Sequence, residues 1–448
     1  MTPTLSIHAD GSAGFDAAVA RLEGRGAGDL AAVTPAVQAI LREVRAEGDV
    51  AVRRSIERFE HRAAPASLLQ RDYDGAAALA RLPADLREAL ELAAARIERF
   101  HRRQWEAELA RASFRDEEGG VSLGMRVRPL ARVGVYAPGG KARYPSSVLM
   151  TAIPARVAGV ADIVLATPAP DDRLLAAAHL AGVGSVLDAG GAQAIGALAY
   201  GTTSVRRVDK IVGPGNAYVA CAKRLVFGEV AIDSIAGPSE ILVLADASAD
   251  PVLVAADLLS QAEHDEDAYA VLVTDAEGLA ERVAVEVEAQ LATLERRAIA
   301  AASIRDRGVC LVVRSLDRLL DLAERIAGEH VAFHLEDPEA AFARVASVGA
   351  ALLGSSTPVA LGDYLAGPSH VLPTGGSVRF GSPLGVHDFV ARSSVLRYSP
   401  DALAQQASAV ATLARAEGLD AHARAVEIRT SHRAIARPAT VSKPQSGP

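Results

Sequence analysis

Apolar positions fall into two rhythms along the chain. From Pro35 to about Arg103 they recur at helical spacing, in runs such as PAVQAILREV and DLREALELAAARIERF with charged residues between them, which predicts amphipathic helices serving as cover. Beyond that the pattern changes to short apolar runs that stop at Gly or Pro: RVGVYAPGG (132–140), ADIVLATP (161–168), GSVLDAGG (184–191) and VDKIVGPG (208–215). Ala-rich helical stretches separate them, so each run reads as a buried strand followed by a crossover helix. The rhythm restarts with EILVLAD (240–246), the helix PVLVAADLLSQAEH, AYAVLVTD (268–275), a long charged helix and VCLVVRS (309–315). Strands alternating with helices imply right-handed βαβ units around parallel sheets.

The expected fold is therefore α/β, with two Rossmann-like parallel-sheet domains, a helical N-terminal cover and a small C-terminal segment. Residues 1–34 read as an N-terminal arm. Residues 35–131 and 246–385 are expected to form one discontinuous α/β domain, with residues 132–245 inserted as another. The helices DALAQQASAVATLARAEG and LDAHARAVEIR, within a segment 386–436, are too short to fold alone and should dock on something, a second subunit being one option. Residues 437–448 have the composition of a disordered tail.

Composition narrows the function classes. The chain has 448 residues, room for two large domains, and is 50% hydrophobic but only 4% aromatic, which suits Val-rich strands and Ala-rich helices. The net charge is −8 and no Lys/Arg block interrupts it, so nucleic acid is not an expected partner. The start MTPTLSIHADGSAGF lacks a basic-then-apolar order and no long apolar run follows, so no membrane is expected and a cytoplasmic setting is. Cys221 and Cys310 sit in apolar contexts without CxxC spacing and read as inert buried thiols.

Chemistry-bearing residues interrupt this apolar background at a few places. Asp257, Gln261 and His264 are spaced i, i+4 and i+7, on one face of an otherwise apolar helix. That stripe is either a hydrogen-bonded helix end or a metal or substrate site. In GEHVAFH, Glu329 and His330 are adjacent at a turn, where both can reach one cleft and divide acid and base work; two solvated loop residues would look the same. His330 and His334 are no zinc motif if VAF is a strand, because four residues then span about 13 Å. Asp363 and His370 lie in the Gly- and Pro-rich loop VALGDYLAGPSHVLPTGG, and Glu417 and His422 flank Gly418. GGAQAIG (190–196) and GPGN (213–216) are glycine turns able to aim N–H groups at an anion, although neither is GxGxxG and no acidic ribose partner follows.

Eight segments in order, RVGVYAPGGKARYPSSVLM, GGAQAIGALAYGT, DKIVGPGNAYV, IAGPSEILVLAD, DLLSQAEH, GEH, ALGDYLAGPSHVLPTGG and AEGLDAHARAVEIR, resemble the histidinol dehydrogenase family from about residue 35 to residue 430. The resemblance implies two successive oxidations with NAD, carrying L-histidinol through L-histidinaldehyde to L-histidine in histidine biosynthesis. It implies one zinc ion per subunit, with Gln261, His264, Asp363 and His422 as ligands, His422 coming from the other subunit of a homodimer with shared active sites. Glu329 and His330 match the catalytic pair, Glu329 activating the hydrating water and His330 accepting the hydroxyl proton. Ser239 and Glu417 match substrate-binding positions, joined by Gln261, His264, His330, Asp363 and His422. Tyr136, Gln193 and Asn216 match NAD contacts in the inserted domain, and the segment 386–436 becomes a dimer contact.

Two positions depart from the family pattern: Gly328 stands where Pro usually precedes the catalytic pair, which could loosen its turn, and Ser369 stands where Asn is usual. Asp257, outside those roles, is expected to support His264. Manganese or cobalt would suit the same ligands. Rival readings are a paralogous zinc- and NAD-dependent dehydrogenase of another small polar alcohol, and a metal-stabilised protein that binds a nucleotide only as a regulator.

Overall fold

Parallel strands buried on both faces account for the apolar runs. In the computed structural model, which describes residues 5–25, 30–139 and 143–431, one six-stranded sheet runs in the order Ser6–Ala9, Val309–Val312, Tyr269–Thr274, Glu240–Ala245, His330–His334 and Ala350–Leu353. Every neighbouring pair in it is parallel. Side chains alternate along the strand Glu240–Ala245: Ile241, Val243 and Ala245 pack with the helices Pro251–Ala262 and Leu279–Leu291, whereas Leu242 and Leu244 pack with Ala13–Glu23 and Leu316–Ile326. Both faces are thus dry, and the strand carries a continuous apolar sequence rather than an alternating one.

A second six-stranded sheet has the order Leu69–Gln70, Ser185–Asp188, Asp162–Thr167, Arg132–Tyr136, Lys210–Val212 and Ala231–Ile232. All its pairs are parallel except the first, which is antiparallel. The strand order reverses on either side of Arg132–Tyr136, and in such sheets ligands sit beyond the carboxyl ends of the strands at the reversal.

Part of the segment expected to join residues 246–385 packs elsewhere. Val37, Ile40, Leu41 and Val44 of the helix Thr34–Glu47, with Ala51 and Val52, share a core with Ala194, Ala197 and Leu198 of the second sheet's layer. The reason is close approach: a Cβ on Gly196 would meet Leu41 at 3.1 Å and Val44 at 3.2 Å, so the small residues of GGAQAIGALAY form a groove that the helix fills. Burying four such side chains is worth roughly 1.5–3 kcal/mol each. The N-terminal arm, in turn, supplies the edge strand Ser6–Ala9 of the first sheet.

The chain divides into two compact units, Met1–Trp105 with Pro129–Val390, and Glu106–Arg128 with Ala391–Pro448. The second unit contains a three-stranded sheet in the order Val390–Tyr398, Val121–Pro129 and Phe114–Glu118, and the helices Pro400–Ala416 and Asp420–Ser431, which meet through Ala411, Ala414 and Ala423. The C-terminal segment 386–436 therefore does not stand alone but takes a hairpin from residues 106–128. The tail 437–448 lies outside the described residues. Among the described residues no helix is long and apolar enough to cross a membrane, and both cysteines are buried and free.

Candidate active site

A buried carboxylate and a buried imidazole meet at the start of one strand. The helix Leu316–Ile326 ends at Ala327 (φ 53°), and the chain then turns through Gly328 into the strand His330–His334. Glu329 is 6% exposed and His330 5%. Glu329 Oε2 accepts the Glu240 N–H at 2.7 Å, and His330 Nδ1 donates to the Glu240 carbonyl at 3.1 Å. With its proton committed there, Nδ1 leaves Nε2 as the open position of the neutral ring. Nε2 faces the Asp363 carboxylate at 3.8 Å, and Nδ1 lies 3.6 Å from Glu329 Oε2.

The electrostatics follow from this crowding. Burial pushes the Glu329 carboxyl above the usual carboxylate range, partly opposed by His330. Burial pulls His330 down, but Glu329 and then Asp363 outweigh it and hold the imidazole up to about 9. The pair is a strong proton acceptor beside a carboxyl group that burial makes basic.

Two further donors, His264 and Asp363, lie close enough to His330 to act on it, and Gln261 precedes His264 by three residues. Gln261, on the last turn of the helix Pro251–Ala262, is 1% exposed and its Oε1 has no hydrogen-bond partner. His264 follows just beyond the helix; burial lowers its pKa, while Asp363 raises it and His330 lowers it further. Asp363 lies in the short helix Val359–Tyr364, and its carbonyl accepts from His370 Nδ1 at 2.8 Å. His370 Nε2 lies 3.3 Å from the Ser147 hydroxyl, and burial lowers its pKa too. An orphaned amide oxygen, an imidazole and a carboxylate make a donor set that suits zinc. Among the described residues no three His, Cys, Asp or Glu side chains lie close enough to hold an ion; one of these three donors is an amide.

Asp257 does something other than expected. Its Oδ2 accepts from His334 Nε2 at 2.8 Å, with both residues buried, so the carboxylate steadies the far end of the His330–His334 strand, not His264. Ser239 is half-buried before Glu240, and its carbonyl accepts the Tyr269 N–H at 2.9 Å. Ser369, the second departure, is accommodated: its hydroxyl donates to the Met150 carbonyl at 3.1 Å. In the second unit, Glu417 caps the helix Pro400–Ala416 and His422 lies in Asp420–Ser431; both are exposed.

The second sheet presents its glycine turns at the carboxyl ends of its strands. Tyr136 ends its strand with the hydroxyl accepting the Gly191 N–H at 3.0 Å, and burial pushes the phenol up to about 12. Gln193 donates to Glu60 at 3.3 Å; Glu60 also takes the Gly190 N–H at 2.9 Å and pairs with Arg62, which holds Asp188 at 2.7 Å. Asn216 caps the helix Ala217–Val226 through the Tyr218 and Val219 N–H groups. Gly213 has φ 115°, and a Cβ there would sit 2.2 Å from the Tyr136 carbonyl, so only glycine lets this turn close onto the strand end. Glycine turns and helix N-termini at a strand-order reversal suit a dinucleotide's phosphates, and here the Gly190, Gly191 and Gly213 N–H groups are held by Glu60, Tyr136 and Asp233. Sequence reasoning did not find Glu60, Arg62, Glu240 or Arg25, all of which act through partners distant along the chain.

Known proteins resemble the chain over nearly its whole length. A family model described as histidinol dehydrogenase matches residues 24–430. The histidinol dehydrogenase of Syntrophotalea carbinolica is 50% identical over 420 residues, covering 93% of this chain and 96% of that protein. That of Aquifex aeolicus is 50% identical over 394 residues, 88% of this chain and 91% of the relative. The crystal structure of histidinol dehydrogenase from Elizabethkingia anophelis superposes with a TM-score of 0.86 at 32% identity, covering 97% of this chain and all of that one.

Proposed function

The chain belongs to the histidinol dehydrogenase family, and on that premise we propose that it oxidises L-histidinol to L-histidine in two NAD-dependent steps through L-histidinaldehyde, in the cytoplasm. The observation that carries the reading is the buried Glu329–His330 pair, with His330 Nε2 turned towards Asp363 and away from its own carbonyl partner.

Each oxidation removes a hydride from carbon and a proton from oxygen. His330 Nε2 takes the hydroxyl proton, so that electron density on oxygen can drive the hydride out. Between the oxidations Glu329 accepts a proton from water as its oxygen adds to the aldehyde carbon, and the proton held on His330 Nε2 passes to the former carbonyl oxygen, which leaves His330 free to act again. The resulting hydrate has the C–H and O–H bonds that the second oxidation needs. NAD, when bound, supplies the two-electron acceptor for each step; Tyr136, Gln193 and Asn216 line its proposed place at the carboxyl ends of the second sheet.

Zinc, when bound, supplies a positive anchor for the amine and imidazole nitrogens of the substrate. Gln261, His264 and Asp363 would hold it, with the fourth ligand being the partner subunit's His422 in a homodimer. The partner subunit's Glu417 would pair with the substrate imidazole, and Ser239 would contact the substrate from just before the strand Glu240–Ala245.

The rival is a related enzyme of another small polar alcohol. It is tested by NADH formation from L-histidinol and from a panel of small diols and amino alcohols. We expect kcat/KM for L-histidinol to exceed the others by about a hundredfold or more, since a site built for polar groups rejects analogues lacking them. Equal rates across the panel would sink the assignment.

A further inference from the structure

Outside the named catalytic residues, one buried ion pair reaches Ala327, Glu329 and His330 of the catalytic turn. Arg25 follows the helix Ala13–Glu23 and is 7% exposed; Glu240 opens the strand Glu240–Ala245 and is 3% exposed. The guanidinium meets the carboxylate as a fork, Nε to Oε1 at 2.9 Å and Nη2 to Oε2 at 2.7 Å. Its remaining donors reach two carbonyls, Nη2 to Ala327 at 3.1 Å and Nη1 to Leu22 at 2.5 Å.

These contacts converge on the catalytic pair from two directions. Ala327 is the left-handed residue that turns the chain towards Glu329, and Arg25 holds its carbonyl. The next two carbonyls are held as well, Gly328 by the Gly349 N–H at 3.1 Å and Glu329 by the Ala350 N–H at 2.8 Å. The turn is therefore clamped at three successive peptides, although Gly328 itself supplies no stiffness. From the other side, the Glu240 backbone gives its N–H to the Glu329 carboxylate and its carbonyl to His330 Nδ1. Its side chain, while bound to Arg25, also takes the Gly375 N–H at 2.8 Å, and the neighbouring Gly237 N–H binds Thr374 Oγ1 at 2.6 Å. The residue whose backbone orients both catalytic side chains is thus pinned to the N-terminal arm and to the loop after His370.

We propose that the Arg25–Glu240 ion pair is a positioning device for the Glu329–His330 pair, setting the Ala327–Gly328 turn and, through the Glu240 backbone, the Glu329 orientation and the Nδ1–H tautomer of His330. The proposal rests on Glu329 and His330 being the catalytic pair. A buried charge pair is poor value for stability alone, because its desolvation offsets much of its attraction, so its retention under a catalytic turn suits a geometric role. The fork matters as well as the charge: a lysine presents one point donor and cannot span both carboxylate oxygens and the Ala327 carbonyl.

The test uses the full chain with three variants, Arg25→Lys, Arg25→Met and the charge-free pair Arg25→Met with Glu240→Gln. The last leaves no lone buried charge and keeps the comparison open if Arg25→Met fails to fold. For the charge-free pair we expect kcat with L-histidinol to fall about ten- to a hundredfold, as misplacement of a base does, with KM changed less than about threefold. Arg25→Lys should recover part of the loss.

A second readout needs no turnover: long-range proton–nitrogen spectra of protein carrying ¹⁵N-histidine, with the His330 signals identified by their loss in His330→Gln. Recorded above about pH 9, where the ring held up by Glu329 and Asp363 is neutral, the native chain should show the Nδ1–H form and the charge-free pair a mixture of tautomers. Unchanged kcat, or a kcat loss with an unchanged tautomer, would overturn the proposal. If the native chain makes no NADH from histidinol, the substrate assignment fails while the tautomer comparison still decides the positioning claim.

Discussion

A carboxyl group kept out of water next to an imidazole can serve two proton transfers only if each side chain is already aimed. Glu329 and His330 meet that condition by sharing the backbone of one residue, the N–H and carbonyl of Glu240. The division of labour can be separated by substitution. Glu329→Gln keeps the shape and loses the base, so conversion of L-histidinaldehyde to L-histidine should fall about 10²–10⁴-fold, the worth of general-base catalysis, while oxidation of L-histidinol to the aldehyde falls less. His330→Gln should depress both. Single-turnover measurement of each half reaction checks this, and equal losses in both halves for Glu329→Gln would refute the assignment. At this scale a polar stripe on an apolar helix drew attention to Gln261 and His264, whereas Glu329 and Asp363, at a turn and in a Gly- and Pro-rich loop, took their expected roles only from the family resemblance. The sequence was silent where meaning came from pairing: Arg25 and Glu240 are 215 residues apart, and Asp257 found His334 on a strand 77 residues away.

Strands that are buried on both faces announce themselves, and so the central strands of both parallel sheets were legible from their Val, Leu and Ile content. Edge and surface strands were not. Ser6–Ala9 is four residues long and pairs with Val309–Val312, about 300 residues further on; Phe114–Glu118 is exposed throughout. Neither carries an apolar signature, because neither is covered on both sides. The C-terminal helices were legible as helices but not as companions of the hairpin 106–128. Their proposed task, lending His422 and Glu417 to a neighbouring subunit, gives an element-scale prediction. His330→Gln and His422→Gln homodimers should each be inactive, yet subunit exchange between them should restore about a quarter of native activity, since half the dimers are mixed and each has one intact site. No recovery on mixing, with exchange shown by mass, would contradict shared sites.

At the scale of the whole molecule, one compact unit holds both parallel sheets, and the helical cover is divided between them differently from its order along the chain. The arm serves the first sheet, which carries the candidate catalytic pair; the helices from Thr34 to Ser55 serve the second, which carries the glycine turns. Continuity of sequence argued for one discontinuous domain of residues 35–131 and 246–385. For the helices from Thr34 to Ser55 packing decided otherwise, because the apolar face of Thr34–Glu47 fits the small-residue groove of Gly191–Tyr200. The central claim is that one site performs two oxidations with hydration between them. Its most direct test is to count NADH formed per L-histidinol consumed by the purified chain, with and without a chelator. The account predicts two NADH and one L-histidine per histidinol, lost on chelation and restored by zinc. One NADH with free aldehyde, or full activity after the metal is removed, would contradict it.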